Sequence, residues 1–221
     1  GDSSPAGIQD VASTRASYFS GQASMILWST FLLDEMAGLR DDAAPSCEEC
    51  VNSTYLAENS GIVPLVTGPD AGGNAGSYGE VTSFVATSAA SPEETADLIG
   101  YLMSDGYADW LSMAPEGKFP VRLGSADNAS EYTDAWAALE TGVDSRAPLG
   151  SIYGADTMAQ LTGVTEGLSR WALMQGQGDM VGPLTAELPI ATVIADAGAG
   201  TVDAATAQQQ MVDAVTEIAD R

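Results

Sequence analysis

The sequence has no histidine and only one lysine, Lys118, among its 221 residues. Histidine is the commonest general base near neutral pH and the usual partner of a catalytic serine or cysteine. Its absence restricts enzyme hypotheses to paired carboxylates, as in glycoside hydrolases. With 31 acidic residues, no single carboxylate pair stands out. We therefore expect a protein without enzymatic activity, and a carboxylate-based glycoside hydrolase is the enzymatic alternative.

Positive charge is scarce, with 7 basic residues against 31 acidic ones and a formal net charge of −24. Such a charge repels nucleic acids and anionic membrane surfaces, which bind clusters of Lys and Arg. The chain is nevertheless 45% hydrophobic, which is enough for a core and unlike a disordered acidic tail. This combination predicts a folded protein from a salt-adapted organism, with no nucleic-acid partner.

Long hydrophobic runs are also missing. The longest uncharged stretch, residues 16–33, contains several serines, a glycine and a glutamine, and is too polar for a transmembrane helix. Residues 1–5 have neither the basic start nor the apolar region of a signal peptide. We therefore expect any signal peptide to lie upstream or to have been removed.

Only two cysteines are present, Cys47 and Cys50. A structural zinc ion would need two further ligands, which a chain without histidine does not readily provide, so we predict no metal site. A local disulfide is the favoured interpretation, with free thiols or a redox pair as alternatives. A disulfide favours an exported protein.

Hydrophobic periodicity predicts an α/β protein, because short apolar runs that suit buried strands alternate with helical patterns. Ser91, Pro92 and Glu94 have the spacing of a helix start with a capping box. The residues between 41 and 60 and between 68 and 79 have the composition of loops. The predicted helices cover residues 8–19, 29–39, 92–113, 131–140, 156–168, 179–197 and 203–219, and the predicted strands cover 24–28, 62–65 and 81–87.

Two glycine-rich runs do not support a cofactor site. The run from Gly176 to Gly182 has the wrong spacing for a dinucleotide fingerprint. The glycines at 72–76 have no following helix and no nearby lysine to hold a phosphate. We therefore predict no cofactor.

Aromatic and polar residues lie at the ends of the predicted strands, where ligand sites of open α/β sheets form. Trp28 and Phe31 follow the first strand, and Tyr78, Gly79 and Glu80 precede the third. An aromatic ring stacks on the apolar face of a sugar, and a carboxylate accepts hydrogen bonds from its hydroxyl groups. The set therefore suits a carbohydrate, although each aromatic taken alone is more often a core residue.

Lys118 and Arg122 bring two of the seven cations within five residues of each other. Ion pairs with neighbouring carboxylates would explain them. The alternative is a guanidinium group that donates hydrogen bonds to a ligand.

Several segments, in order along the chain, resemble the family 1 extracellular solute-binding proteins, which are relatives of maltose-binding protein. The segments are Phe-Ser-Gly-Gln-Ala-Ser-Met at 19–25, Gly-Ile-Val-Pro-Leu at 61–65, Tyr-Gly-Glu-Val at 78–81 with Ser-Pro-Glu-Glu at 91–94, and Ala-Pro-Glu-Gly-Lys-Phe-Pro-Val-Arg at 114–122. The last segment is common in the sugar-binding branch of that family.

The resemblance implies a periplasmic-binding-protein-like fold of type II, with two α/β lobes that close on a ligand. This chain would supply mainly the C-terminal lobe, in residues 1–84 and 129–221, while residues 85–128 cross back to the N-terminal lobe. The apolar stripe of the helix that starts at Pro92 would then lie uncovered, since most of that lobe is not in this chain.

The resemblance also implies a function. The family members are substrate-binding components of ABC importers, which capture a sugar outside the cell and deliver it to the membrane permease subunits. The corresponding ligand-binding positions here are Trp28, Phe31, Tyr78, Gly79, Glu80 and, less directly, Arg122; many relatives have glycine where this chain has Glu80. We accordingly expect an extracellular or periplasmic protein, tethered to the membrane and monomeric at full length, with a non-sugar solute as the alternative ligand.

Overall fold

The computed structural model describes residues 10–68, 76–170 and 172–221. The chain is a mixed α/β protein, about 52% helical and with little sheet. It divides into two compact units, Gly1–Ile26 with Ser169–Arg221 and Leu27–Leu168. The predicted boundaries near residues 84 and 128 both lie inside the second unit.

Ten helices and four short strands are found in the described residues. The helices are α1 (Val11–Phe19), α2 (Leu32–Met36), α3 (Tyr55–Asn59), α4 (Pro92–Leu102), α5 (Tyr107–Ser112), α6 (Glu131–Ala137), α7 (Leu149–Gly163), α8 (Val181–Glu187), α9 (Pro189–Gly198) and α10 (Ala204–Ala219). The strands are β1 (Ser77–Tyr78), β2 (Glu140–Thr141), β3 (Ala147–Pro148) and β4 (Leu168–Ser169).

The Leu27–Leu168 unit has its core between α2, α5, α6 and α7. Trp136 and Leu149 are completely buried, and Leu111 is 1% exposed. The antiparallel hairpin β2–β3 lies beside this core, and β1 pairs with β4 where the chain leaves the unit. The other buried apolar residues that α2, α5 and α7 contribute are Leu32, Leu33, Met36, Tyr107, Tyr153, Met158 and Leu161.

In the unit made of residues 10–26 and 169–221, the regular elements of the described residues are helices, apart from the end of β4. The carboxylate of Asp203 caps α10 by accepting the N–H of Thr206 at 2.7 Å. Helix α10 buries Ala207 and Ile218. At its C-terminal end Arg221 forms ion pairs with Glu187 and Glu217.

The helices at residues 11–19, 131–137 and 204–219 confirm three sequence predictions to within a few residues. The helix predicted at 156–168 corresponds to the second part of α7, which is broken by the non-helical backbone of Gly154 (φ +70°) and ends at Gly163. Residues 41–60, predicted as loop, contain 3-10 turns at Asp41–Ala43 and Glu48–Cys50 as well as α3. The glycine-rich turn predicted at 68–79 lies partly outside the described residues.

Two helices that the sequence predicts as continuous are interrupted. The helix predicted at 179–197 divides at Leu188, whose φ is +49°, because Pro189 lacks an N–H and disfavours helical backbone before it. The helix predicted at 92–113 divides between α4 and α5. At its start, Pro92 occupies the first turn as predicted, but the side chain of Ser91 makes no capping hydrogen bond, so the capping-box prediction is wrong.

The strands predicted at 24–28, 62–65 and 81–87 are not formed within the described residues. The β structure near them is the isolated bridge between Val66 and Gly76 and the two-residue strand β1. The prediction is wrong because an apolar run indicates burial, whereas a strand also needs a partner for its backbone hydrogen bonds. Several side chains of these runs are exposed, among them Leu27 at 94% and Val85 at 79%.

Among the described residues, no single helix is long and apolar enough to cross a membrane. The segments Gly178–Glu187 and Pro189–Gly198 pass that test only as a pair, with a bend of 47° between them.

Candidate functional site

All six residues that the sequence singles out for ligand binding lie in the Leu27–Leu168 unit. Trp28 is half-buried, and Phe31 is 52% exposed at the N-terminal cap of α2. The ring of Phe31 covers Gly117, since a Cβ atom added to Gly117 would lie 2.3 Å from Phe31 Cε1. The structure therefore brings Phe31 to the segment at 114–122, which the sequence resemblance also singles out.

Tyr78, Gly79 and Glu80 form a separate group at the end of β1. Tyr78 is 73% exposed and Glu80 is exposed as well. Gly79 lies under Leu168, because a Cβ atom added there would come within 2.1 Å of Leu168 Cδ2. Among the described residues, no hydrogen bond or ring contact links Tyr78, Gly79 or Glu80 to Trp28 or Phe31.

Arg122 is held by contacts within the protein. Its guanidinium carbon lies 4.6 Å from the centroid of the Tyr132 ring, and its Nη1 donates a hydrogen bond to the carbonyl of Met103. Tyr132 in turn packs edge-to-face against Tyr107 at 5.1 Å. The hydroxyl oxygen of Tyr107 accepts the N–H of Val121 at 2.8 Å. A role of Arg122 in ligand binding stays a prediction.

Lys118 also lies over an aromatic ring. Its Nζ is 5.5 Å from the centroid of Trp110, which packs edge-to-face against Phe84 at 5.2 Å. Within the described residues, neither Lys118 nor Arg122 forms an ion pair. The ion-pair interpretation of these two cations is therefore wrong for that part of the chain, and cation–π contacts replace it.

The 3-10 turn Pro115–Gly117 is anchored in the core. The indole Nε1 of Trp136 donates a hydrogen bond to the carbonyl of Pro115 at 2.8 Å, and the Phe119 ring packs against Trp136 at 5.1 Å. The segment at 114–122 is thus fixed by the buried Trp136, and the ring of Phe31 covers Gly117 of the same turn.

Two carboxylates are buried here, one on α2 and one in this turn, and neither was predicted from the sequence. Asp34 is 2% exposed and Glu116 is 8% exposed. Glu116 Oε2 accepts a hydrogen bond from the hydroxyl of Thr141 at 2.5 Å. Asp34 Oδ1 has no hydrogen-bond partner within the described residues. A signal existed in the sequence, since Asp34 follows directly on the apolar Phe31, Leu32 and Leu33.

Burial and the charge of Glu116 raise the pKa of Asp34 from 3.8 to about 6, while the charge of Arg40 and a hydrogen bond from the Glu35 backbone lower it. Burial is the largest cause, because an ionised carboxylate is costly to remove from water. Chemically, α2 therefore offers a buried carboxyl group whose pKa is raised to about 6.

Cys47 and Cys50 form a disulfide, with their Cα atoms 4.9 Å apart. Cys50 is 3% exposed and lies at the end of the 3-10 turn Glu48–Cys50. The described residues contain no free cysteine.

No group of three or more His, Cys, Asp or Glu side chains is placed to hold a metal ion among the described residues. Comparisons with protein-family profiles, curated proteins and solved structures found no match to this chain.

Proposed function

We propose that this chain belongs to the substrate-binding component of an ABC importer that captures a sugar or oligosaccharide outside the cell and delivers it to membrane permease subunits. The observation that carries the proposal is the ordered set of family-like segments, above all Ala-Pro-Glu-Gly-Lys-Phe-Pro-Val-Arg at 114–122. In this proposal the fold is of type II, and the chain forms mainly its C-terminal lobe.

The position of Phe31 supports a ligand site beside the segment at 114–122. Its ring is half exposed while one part of it covers Gly117, so the rest can stack on a sugar ring. Trp28 precedes it by three residues and is half-buried. Tyr78 and Glu80 are both exposed and offer a second aromatic face and a carboxylate acceptor.

Exposed apolar side chains support a second lobe that covers part of this surface. Helix α4 has no buried residue, and its Leu98 and Tyr101 are 57% and 52% exposed. In the same unit, Leu123 is 86% exposed. Large apolar surface of this kind marks an interface with further polypeptide.

Thermal unfolding with and without candidate ligands tests the proposal. The full-length protein is screened against mono- and oligosaccharides, peptides, polyamines and metal ions. A ligand that binds only the folded state raises Tm, and at one hundred times its Kd it adds about 2.7 kcal/mol. We expect a sugar to give this shift.

Matched aromatic variants then locate the site. Phe31→Ala should reduce the sugar-induced shift, while Tyr55→Ala, which removes an exposed aromatic from α3, should leave it unchanged. A shift with a peptide, polyamine or metal and none with a sugar would favour a non-sugar solute. Release of the chromophore from a nitrophenyl glycoside would favour the glycoside hydrolase.

A further inference from the structure

We propose that Asn52 is a site of N-linked glycosylation and carries an oligosaccharide on its side-chain amide nitrogen. Asparagine accepts such a glycan where it begins a triplet Asn-X-Ser or Asn-X-Thr, with X other than proline, on the surface of a secreted protein. Asn52, Ser53 and Thr54 form this triplet. The proposal goes beyond the ligand-binding function and shares with it only the expectation that the protein is exported.

The triplet lies on a surface turn between the disulfide and α3. Every residue from 51 to 55 is exposed. An oligosaccharide is bulky and hydrophilic, so its acceptor needs open surface on both sides along the chain. This segment of the Leu27–Leu168 unit provides that surface.

The local structure accounts for the asparagine but not for the threonine. Asn52 has a φ of +54°, in the left-handed region that asparagine tolerates better than most residues. Thr54 is at the N-cap position of α3, yet its side chain makes no capping hydrogen bond and instead donates its hydroxyl hydrogen to the carboxylate of Glu58. Helix capping therefore does not explain why a threonine stands two residues after Asn52.

The amide nitrogen of Asn52 is available for reaction. Within the described residues, the side chain of Asn52 makes no hydrogen bond. Asn59 is exposed as well, but its Nδ2 donates a hydrogen bond to the carbonyl of Tyr55 at 2.9 Å. Asn59 is followed by Ser60 and Gly61 and so begins no triplet. The chain thus contains an exposed asparagine that serves as a natural comparison.

The turn that carries Asn52 is fixed by the fold. The disulfide between Cys47 and Cys50 closes the preceding 3-10 turn, and the carbonyl of Cys50 accepts the N–H of Ser53 at 3.2 Å. The hydroxyl of Ser53 donates a hydrogen bond to the carbonyl of Glu49 at 2.6 Å. Helix α3 packs against α2 and α7. The folded chain therefore presents Asn52 to solvent, and its modification requires no unfolding.

The transfer is a substitution at the first carbon, C1, of a sugar. The donor is an oligosaccharide joined through C1 to a lipid phosphate or pyrophosphate. Asn52 Nδ2 forms a bond to C1, while the bond between C1 and the phosphate oxygen breaks and leaves its electron pair on that oxygen. Nδ2 loses one of its two protons to a base, and the lipid phosphate departs. No group is oxidised or reduced.

A second triplet, Asn128-Ala129-Ser130, is a poorer acceptor in this proposal. Asn128 is exposed, but Leu123 in the same stretch is part of the apolar surface that the proposed second lobe covers. A lobe at that position would restrict the access of a glycan-transferring enzyme. We therefore assign the modification to Asn52.

Mass spectrometry of the full-length protein, purified from the organism that produces it, tests the assignment. After reduction of the disulfide, cleavage after glutamate separates the asparagines: residues 50–58 contain Asn52 alone, residues 59–80 contain Asn59 and Asn74, and residues 117–131 contain Asn128 alone. We expect the fragment 50–58 to carry the added mass of an oligosaccharide on Asn52. The fragment 59–80 has no triplet and should carry none.

Variants produced in the same cells identify the linkage. Asn52→Gln and Thr54→Ala should each lower the intact mass by one oligosaccharide, whereas Thr54→Ser keeps the triplet and should keep the glycan. Asn59→Gln, the matched control at an exposed asparagine, should leave the mass of the glycan unchanged. A glycan on the Thr54 hydroxyl would instead survive Asn52→Gln, so the pair of losses is specific to an N-linked glycan.

A fragment 50–58 without sugar in the exported protein overturns the proposal, as does a glycan on Asn128 alone or one that survives Asn52→Gln. These outcomes are separate from the ligand-binding function. A protein without a glycan on Asn52 whose Tm still rises with a sugar would contradict the glycosylation site only. A glycosylated protein that binds no sugar would contradict the transport function only.

Discussion

Trp136 illustrates how single residues fix the segment at 114–122. It is fully buried, donates a hydrogen bond to the Pro115 carbonyl and packs against Phe119. The sequence placed it in a predicted helix but contained no sign of these contacts, since Pro115 lies 21 residues earlier. Local patterns identify a helix, whereas the partner of a buried indole depends on the folded chain.

Replacing Trp136 with Ala should lower the free energy of unfolding by about 3–5 kcal/mol, because a large buried side chain leaves a cavity. Urea unfolding measures the change. Trp136→Phe retains an aromatic ring and removes the donor to Pro115, so it should cost about 1–3 kcal/mol. Trp28→Ala is the control at a half-buried tryptophan and should cost less than Trp136→Ala. Equal losses at the two tryptophans would contradict the anchoring role of Trp136.

At the residue scale, the sequence drew attention to two cations but did not predict the burial of a carboxylate. The unusual spacing of Lys118 and Arg122 correctly marked a special segment, but their aromatic partners Trp110 and Tyr132 could not be read from it. The burial of Asp34 was missed because a carboxylate in an apolar run is ordinarily assigned to the exposed face of a helix.

Among the elements, helices were predicted far better than strands. A helix satisfies its hydrogen bonds locally, so the pattern in residues 204–219 suffices to define α10. The apolar runs at 24–28, 62–65 and 81–87 have no pairing strand in the described chain. A local sequence pattern does not indicate whether such a strand exists. The break at Pro189 was foreseeable from the proline itself.

The hairpin β2–β3 offers a prediction at this scale. Gly142 has a φ of +105°, and a Cβ atom there would lie 2.2 Å from the Ser145 carbonyl oxygen and 2.7 Å from Leu39 Cβ. The carbonyl of Leu39 accepts the N–H groups of residues 143–145, so the hairpin turn is tied to the chain just after α2. Gly142→Ala should therefore destabilise the protein by about 2–4 kcal/mol in urea unfolding.

Gly163 provides the matched control for this substitution. Its φ of −63° suits any residue, and nothing lies within 4 Å of an added Cβ atom. Gly163→Ala should leave stability unchanged or raise it by about 0.4–1 kcal/mol. Similar losses in the two variants would show that the hairpin turn does not depend on the glycine.

For the whole molecule, the formal charge of −24 dominates the electrostatics. The ion pairs found in the described residues, Arg40–Asp42, Arg221–Glu187 and Arg221–Glu217, are exposed and contribute little. Repulsion among the remaining carboxylates therefore opposes the compact state, and dissolved salt screens it.

Raising KCl from about 0.1 to 1 M, which shortens the Debye length from about 10 to 3 Å, should raise Tm. We expect at least about 2–4 °C, the shift that 1 kcal/mol gives in a domain of this size. A variant with Glu93, Glu94 and Asp97 of α4 changed to their amides should respond less, since all three are exposed. A Tm that is constant or falls with added KCl would contradict the dominance of repulsion.

The cation–π contact of Lys118 has a practical consequence for labelling. Because Lys118 is the only lysine, its amine is the single side-chain target for an amine-reactive dye, and it lies 5.5 Å from the Trp110 ring centroid. A dye coupled there would lie close to the Trp110 indole, within the segment at 114–122. The single lysine of this chain thus offers one side-chain attachment point for a fluorophore, in addition to the α-amino group.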